Sequence, residues 1–362
     1  MEPYIISFIL SLTLLWLGYY NKSKKAISVT FIIIALFILS LLAGFRDETV
    51  GLDLSYYFVP NYDAARAMSS KTALVYLFST GLEPLYLLSI YVVSQFSYDY
   101  FLYFFLQEFL SLLLILIACN IKKYNVNYFF IFAIYLFYFY CQSLSLNRQV
   151  YAVSLIFLSY PLILKKKILK FVIVIIIAIL FHSSAIICLS LYPIVRYGLR
   201  PIKRSFYYYF VIVFSGGIFY FIFPSLLNFL INYGILVQKY TRYLDEDYSI
   251  HKFDILILVV LYLNTFYKQL SLNFKNGIRL LIIISFFITL CGTYNDIASR
   301  AALYFQFCVL YLFAISLNNL SKKYRLRMMF SIIIIYLVSF VYQSSTTDLI
   351  QTVPYTSRSL GI

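Results

Sequence analysis

Three arginines, Arg46, Arg148 and Arg300, stand at the edges of long apolar segments, where a cationic side chain needs an anionic partner. Arg148 and Arg300 each open a predicted helix, an end at which the helix dipole favours acidic residues instead. A guanidinium holds two oxygens of a phosphate in a planar fork. The three arginines are therefore predicted to surround an anionic, phosphate-bearing substrate. The alternative partners are lipid phosphate and the acids Asp53, Glu83 and Asp296.

Two further side chains are candidates for accepting a proton. Glu83 precedes Pro84, which disfavours helix in the preceding residue, so the carboxyl group is predicted to lie at a kink. Burial in the membrane at that kink would raise its pKa and suit it to proton transfer. His182 stands at the tip of an apolar hairpin and is followed by two serines. A lone histidine is more often a packing residue, but imidazole exchanges protons near neutral pH.

A third candidate base is Asp53, in a stretch that carries four charges between two apolar regions. Gly51 can adopt backbone angles that other residues avoid, which would let the chain turn Asp53 back toward Arg46. An ion pair with that arginine would weaken Asp53 as a base. The sequence therefore favours Glu83 as general base, followed by His182 and then Asp53.

Composition predicts which elements position these residues. Hydrophobic residues make up 63% and charged residues 12% of the chain, against roughly 25% charged in soluble domains. The chain is predicted to be an all-α polytopic membrane protein with one integral domain, 1–362, and outer loops at about 46–99 and 224–252. Although the net charge is +15, the basic residues cluster in short loops, which excludes a nucleic-acid partner. The five cysteines form no CxxC pair, so neither a disulfide nor a metal site is predicted.

The basic clusters also predict the topology, because lysine and arginine favour cytoplasmic loops. An arrangement of about twelve spans places 20 of the 29 basic residues inside and 9 outside, with none of the 14 acids inside. It requires the segment 72–96, which Gly81 and Pro84 interrupt, to be re-entrant or interfacial. Asp53, Glu83, Arg148, His182 and Arg300 then share the outer face.

Four short motifs and two weaker matches occur in the order of a known family. They are Arg46…Gly51-x-Asp53…Tyr56, Glu83-Pro84-Leu85-Tyr86, Asn147-Arg148-Gln149…Ala152 and Phe181-His182-Ser183-Ser184, followed by Arg300 and Pro354-Tyr355. In this order the chain resembles the EpsG/Wzy family of bacterial polymerases of O-antigen, capsule and exopolysaccharide.

The resemblance implies an inverting, metal-independent glycosyltransferase of GT-C-like architecture, without a cofactor, in the bacterial cytoplasmic membrane. On the outer side, such an enzyme moves a glycan from one undecaprenyl diphosphate onto another lipid-linked repeat unit. Its implied partners are that lipid-linked oligosaccharide, membrane lipid and a chain-length regulator protein. The diphosphate is assigned to Arg46, Arg148 and Arg300, and glycan contacts to Tyr56, Arg242 and Tyr355.

Two other classes of membrane protein share some of these features. A flippase or other transporter of lipid-linked oligosaccharides should carry ionisable residues through the membrane centre, where this sequence places only Glu108. The glutamate is equally well explained by a hydrogen bond to one of the many tyrosines. An O-antigen ligase-like transferase or an acyltransferase would share an outer-face site but use a different acceptor or donor.

Overall fold

The computed structural model describes residues 1–51, 53–121, 126–199, 205–233, 252–266, 272–294, 296–346 and 351–361. Within these residues all regular structure is helical. In this part of the chain seven helices are long and apolar enough to cross a membrane, and three shorter apolar helices accompany them. The prediction of an all-α polytopic membrane protein is therefore confirmed.

Contacts divide the chain into two compact units, the first made of Met1–Leu162, Leu169–Ile186 and Ile333–Ile362. Its helices are α1 (Glu2–Tyr20), α2 (Lys25–Gly44), α3 (Val59–Ala67), α4 (Ser70–Ser79), α5 (Pro84–Ser94), α6 (Phe101–Cys119), α7 (Tyr128–Ile134), α8 (Tyr140–Ser145), α9 (Asn147–Leu164) and α10 (Ile168–Phe181). Helix α1 packs on α2, and α2 packs on α6. A π-helical segment, Tyr135–Phe139, joins α7 to α8. It carries Tyr135, whose hydroxyl donates a 2.9 Å hydrogen bond to Glu108, the tyrosine partner considered above.

The segment predicted as an outer loop contains three short helices. A π-helical turn, Leu54–Phe58, leads into α3, and α3 packs on both α4 and α5. Helix α4 ends at Ser79, and α5 begins at Pro84, whose fixed φ and missing N–H suit the first turn of a helix. The prediction that 72–96 is not one straight helix is confirmed. Aromatic rings from α3, α5, α6 and the π-helical turn form one buried cluster, which includes Phe58, Tyr86, Tyr103 and Phe104.

The C-terminal segment lies against the loop that follows α2. Backbone N–H groups of Asp47 and Gly51 donate to the carbonyls of Thr356 and Gln351 at 3.0 and 2.8 Å. Tyr355 is buried and its hydroxyl donates to the carbonyl of Leu42 at 2.8 Å. These bonds join the last described residues to the segment that carries two of the predicted site residues.

The second unit consists of Ile163–Ile168 and Ile187–Ile332. Its helices are α11 (Leu191–Gly198), α12 (Ser205–Asn232), α13 (Lys252–Asn264), α14 (Leu272–Cys291), α15 (Asp296–Ser316) and the first part of α16 (Lys322–Thr346). Helix α14 contacts α11, α12, α13 and α15. Helix α12 continues beyond the predicted end of its span at residue 223, with Pro224 inside it. Most of the predicted second outer loop, 234–251, lies outside the described residues.

Candidate functional site

Four ionisable side chains from separate segments of the first unit lie together. Asp53 precedes the π-helical turn, Glu83 precedes α5, Arg148 lies in the first turn of α9, and His182 follows α10. Asp53, Glu83 and Arg148 are less than a tenth exposed. We call these four residues the charged cluster. Burial of an unpaired charge is costly, so the contacts within the cluster decide what it can do.

Glu83 is the centre of the charged cluster. Its Oε2 accepts a 3.0 Å hydrogen bond from Nη1 of Arg148, and its Oε1 accepts from the backbone N–H and hydroxyl of Ser183 at 3.1 and 3.2 Å. Nδ1 of His182 lies 3.3 Å from the same Oε1. The extended backbone at Glu83 starts α5 without a capping bond from its own side chain, which leaves the carboxylate for these partners.

The pKa of Glu83 differs from the sequence expectation. Burial acts to raise this pKa, as expected, but the contact with His182, the charge of Arg148 and the N–H of Ser183 outweigh it. The pKa therefore lies well below its ordinary value, and the carboxylate is ionised at neutral pH. The expectation of a raised pKa is wrong because sequence showed the burial and not the three stabilising partners.

Arg148 is held mainly through one side of its guanidinium. Nη1 bonds Glu83, while Nη2 lies 3.9 Å from Oδ2 of Asp53, an ion-pair distance beyond hydrogen-bond range. Its Nε is buried and has no hydrogen-bond partner within the described chain. The guanidinium carbon lies 4.5 Å from the ring centre of Tyr57 and 5.6 Å from that of Tyr86. The rings fix the plane of the guanidinium, and its Nε remains available to an oxygen of a ligand.

Gly51 explains why Asp53 reaches Arg148. Its φ is +119°, and a Cβ built on it would lie 2.5 Å from the carbonyl oxygen of Leu144, so the loop packs directly on the end of α8. This contact brings the following residues next to the start of α9. The predicted turn of Asp53 toward Arg46 is therefore wrong, and its arginine partner is Arg148.

Arg46 has a different environment from Arg148. It is 6% exposed, and its guanidinium packs over the ring of Phe104 at 4.1 Å. Its Nε has no hydrogen-bond partner, and no carboxylate lies within ion-pair distance among the described residues. Burial lowers its pKa to about 10, which leaves the group charged at neutral pH. Arg46 is thus a buried cation that makes no ion pair in the described chain, although the charge of Glu108 acts on it from a longer distance.

An apolar cavity of about 110 Å³ borders the charged cluster within the same unit. Its wall includes Arg148, Tyr86, Tyr103, Gln107 and Asn147. The hydroxyl of Tyr86, the side-chain oxygen of Gln107 and both polar side-chain atoms of Asn147 have no hydrogen-bond partner in the described chain. An apolar space edged by such groups can take a ligand with both apolar and polar parts.

Four other residues were assigned to the substrate by the sequence. Tyr56 is 70% exposed, and the hydroxyl of Tyr355 is already bonded to the backbone. Arg300 belongs to the second unit and lies one turn inside α15, so the argument from a helix start does not apply to it. Arg242 is outside the described residues. The assignment of these four residues to substrate stays a prediction.

Sequence reasoning missed the groups that position the cluster. Tyr57, Phe104 and Ser183 all contact its charged side chains or Arg46. Ser183 follows His182 in a motif, and Tyr57 follows Tyr56, which ends another motif, so these two residues stood beside named candidates. Phe104 carries no comparable signal because aromatic residues make up 21% of the chain.

Apolar helices of spanning length, together with a buried cluster of paired charges, define an integral membrane protein with a polar site. The model of the EpsG family matches residues 29–357. The chain therefore belongs to the EpsG family, which confirms the resemblance found in the motifs and indicates a role of the polysaccharide-polymerase type. No curated protein and no solved structure matches the chain.

Proposed function

We propose that this protein is a glycosyltransferase that polymerises lipid-linked repeat units of a bacterial polysaccharide. In this proposal the donor glycan leaves one undecaprenyl diphosphate and joins the sugar of a second lipid-linked unit, with inversion. The charged cluster faces the outer side of the cytoplasmic membrane, and the chain makes about twelve crossings in a GT-C-like arrangement. Membership of the EpsG family and the basic loops at the other ends of the helices support it.

The observation that carries the proposal is that two buried arginines of the first unit keep hydrogen-bond donors without a protein partner. Arg148 keeps a buried Nε without a partner, and Arg46 has no acid partner among the described residues. Both guanidiniums pack on rings of the same aromatic cluster, over Tyr86 and Phe104 respectively. Buried donors of this kind are suited to a diphosphate, whose charge grows as the glycosidic bond breaks.

Arginines are the groups to which we assign the leaving diphosphate. Among the described residues, no group of three or more His, Cys, Asp and Glu side chains is arranged to hold a metal ion. In our proposal Arg46 and Arg148 hold the diphosphate oxygens. The apolar cavity beside Arg148 takes the first part of the lipid chain.

The proton of the attacking hydroxyl goes to His182 in this proposal, rather than to Glu83 as sequence favoured. Because Glu83 has a lowered pKa and already accepts three hydrogen bonds, it is a weak base. Its Oε1 faces Nδ1 of His182 at 3.3 Å, which favours the tautomer with the proton on Nδ1. The alignment is not that of a good hydrogen bond, as is common before substrate binds.

The proposed step is an in-line displacement. The acceptor hydroxyl oxygen forms a bond to the anomeric carbon, and the bond from that carbon to the diphosphate oxygen breaks with its electron pair. The hydroxyl proton moves to Nε2 of His182, and Glu83 stabilises the imidazolium that forms. Arg46 and Arg148 offset the charge on the departing diphosphate.

Cells that lack the protein test the reaction class. Loss of a polymerase leaves single repeat units on the outer-face lipid carrier, which mass spectrometry of extracted lipid-linked glycans detects. Long polymer retained on the carrier would instead assign a ligase, and single units confined to the inner face would assign a flippase. Either result would refute the proposal.

Purified variants test the assignment of the base. We expect His182→Ala to lose turnover by about 10²–10⁴-fold while it still binds lipid-linked substrate. Asp63→Asn, which changes an exposed acid bonded to Tyr100, serves as the control and should keep normal turnover. Normal turnover by His182→Ala, at matched protein levels, would remove His182 from the reaction.

A further inference from the structure

A second cavity lies at the other end of α2 from Arg46. It measures about 340 Å³ and is formed by the ends of α1 and α6 and the starts of α2 and α7. The part of α2 that lines this cavity ends at Ile33, so the cavity lies about 20–30 Å from Arg46 along the helix axis. We call it the α1–α2 cavity. It is independent of the charged cluster and of the function proposed for that cluster.

The lining of the α1–α2 cavity is cationic at its edge and apolar at its wall. Lys22 and Lys25 line it, and none of its lining residues is acidic. Neither lysine makes an ion pair within the described chain. Val29, Ile32 and Leu116 form part of its wall. Two cations above an apolar wall match a molecule with an anionic head and an apolar tail.

A buried hydroxyl provides the second sign of a ligand. Tyr128 lines the cavity and is 7% exposed, and its hydroxyl has no hydrogen-bond partner within the described chain. The neighbouring Ser28 hydroxyl donates to the carbonyl of Gly18 at 2.7 Å, and its contact with the Tyr128 hydroxyl falls short of hydrogen-bond geometry. A buried phenol costs free energy unless a partner completes its hydrogen bond. An oxygen of a bound head group would supply that partner.

The position of the cavity in the membrane fits the same ligand. Trp16 and Tyr20 are exposed and stack on each other near the end of α1, as aromatic side chains do at the level of lipid head groups. The turn between α1 and α2 therefore lies at a membrane surface. This surface is the cytoplasmic one by the preference of basic residues for cytoplasmic loops, because the turn carries Lys22, Lys24 and Lys25.

We propose that the α1–α2 cavity binds the phosphate head group of an anionic membrane lipid from the cytoplasmic leaflet. Lys22 and Lys25 offset the head-group charge, the hydroxyl of Tyr128 donates to one of its oxygens, and the apolar wall contacts the start of an acyl chain. The pair of lysines without an acid selects a lipid with net negative charge over a zwitterionic one.

The test measures lipid retention by the full-length protein in detergent, with native mass spectrometry after incubation with phosphatidylglycerol or phosphatidylcholine. The wild-type protein should retain phosphatidylglycerol in preference. Because each lysine near a membrane surface contributes roughly fivefold, the double variant Lys22→Gln/Lys25→Gln should lower this preference by about 30-fold. Tyr128→Phe keeps the ring and should lower retention by a few-fold.

A matched control separates a site from general attraction. The double variant Lys165→Gln/Lys166→Gln removes the same charge from another basic loop and does not touch the cavity. It should retain phosphatidylglycerol as the wild-type protein does. An equal loss in both double variants, or unchanged retention in Lys22→Gln/Lys25→Gln, would overturn the proposal.

A competition arm distinguishes a lipid from free phosphate. Inorganic phosphate should leave phosphatidylglycerol in place, because it lacks the acyl chain that contacts the wall. Displacement of the lipid by inorganic phosphate would show that the cavity takes a soluble phosphate and would refute the lipid assignment. If the lysine double variant shows no cooperative thermal transition, the test rests on Tyr128→Phe, which preserves the packing of the ring.

Discussion

The contact between Glu83 and Arg148 can be measured as a coupling free energy. Both side chains are less than a tenth exposed and 3.0 Å apart, so removal of either leaves a buried charge. Breaking such a pair costs about 3–5 kcal/mol. We expect about 3 kcal/mol for Glu83→Gln, at the lower end, because Asp53 remains 3.9 Å from Arg148. The glutamine also turns an N–H₂ toward donors that previously met a carboxylate.

The assay uses a property of the whole chain. All five cysteines are buried and free, so a thiol-reactive dye reports unfolding of the purified protein in mixed detergent micelles. Glu83→Gln, Arg148→Gln and the double variant form a cycle, with Asp63→Asn as an exposed control that should change stability by less than about 0.5 kcal/mol. We expect a coupling of about 2–3 kcal/mol between the two sites. A coupling below about 0.5 kcal/mol would show that the pair does not hold the cluster together.

Three further outcomes follow from single contacts. Gly51→Ala places a Cβ 2.5 Å from a carbonyl oxygen at a residue of positive φ, and it should lower the free energy of unfolding by roughly 2–4 kcal/mol in the same assay. Gly81→Ala has open space around its Cβ and should cost clearly less. Tyr355→Phe removes the donor to Leu42 and should cost about 1 kcal/mol, and no change would contradict its role in holding the C-terminal segment. Because the pKa of Glu83 is lower in the folded protein, its ionised carboxylate contributes stability above about pH 4.5. This contribution is lost as the pH falls below that value toward the folded pKa. A Glu83→Gln protein should lack this part of the acid sensitivity.

The helices were largely predictable because their signal is local. Segments 147–164 and 168–181 were predicted with the bounds that α9 and α10 have, since an apolar run in a membrane can only be helical. The interruption at Pro84 was predictable for the same reason, as proline acts on its immediate neighbour. The helical segments within 54–67 were missed because their sequence mixes charged and apolar residues without a long apolar run.

The partners within the site were not predictable in the same way. That Asp53 pairs with Arg148 depends on how Gly51 packs on Leu144, a contact between residues about 90 positions apart. The pKa of Glu83 is lowered where the sequence predicted a raised value, because the partners that stabilise its carboxylate come from two distant segments. Residue types indicated which side chains would be functional candidates, and tertiary contacts decide what each of them does.

Arg46 and Arg148 differ in what they contribute to folding. Variants of the two arginines therefore distinguish an effect on substrate binding from an effect on stability. Asp53, Glu83 and Arg148 together carry a net charge of −1, so these three side chains do not attract a diphosphate by their own charge. Arg46 is buried and makes no ion pair among the described residues, since Glu108 acts on it only from beyond ion-pair distance.

Burial of an unpaired guanidinium opposes folding, whereas burial of a paired one is needed to satisfy its acids. Arg46→Gln should therefore leave the free energy of unfolding unchanged or raise it, while polymer formation falls by at least tenfold and substrate binding weakens. Arg148→Gln should lower both stability and activity. The unfolding assay and a binding assay with lipid-linked substrate measure the two effects separately. If Arg46→Gln destabilises the protein as much as Arg148→Gln does, then Arg46 supports the fold, and the diphosphate must be held by other cations.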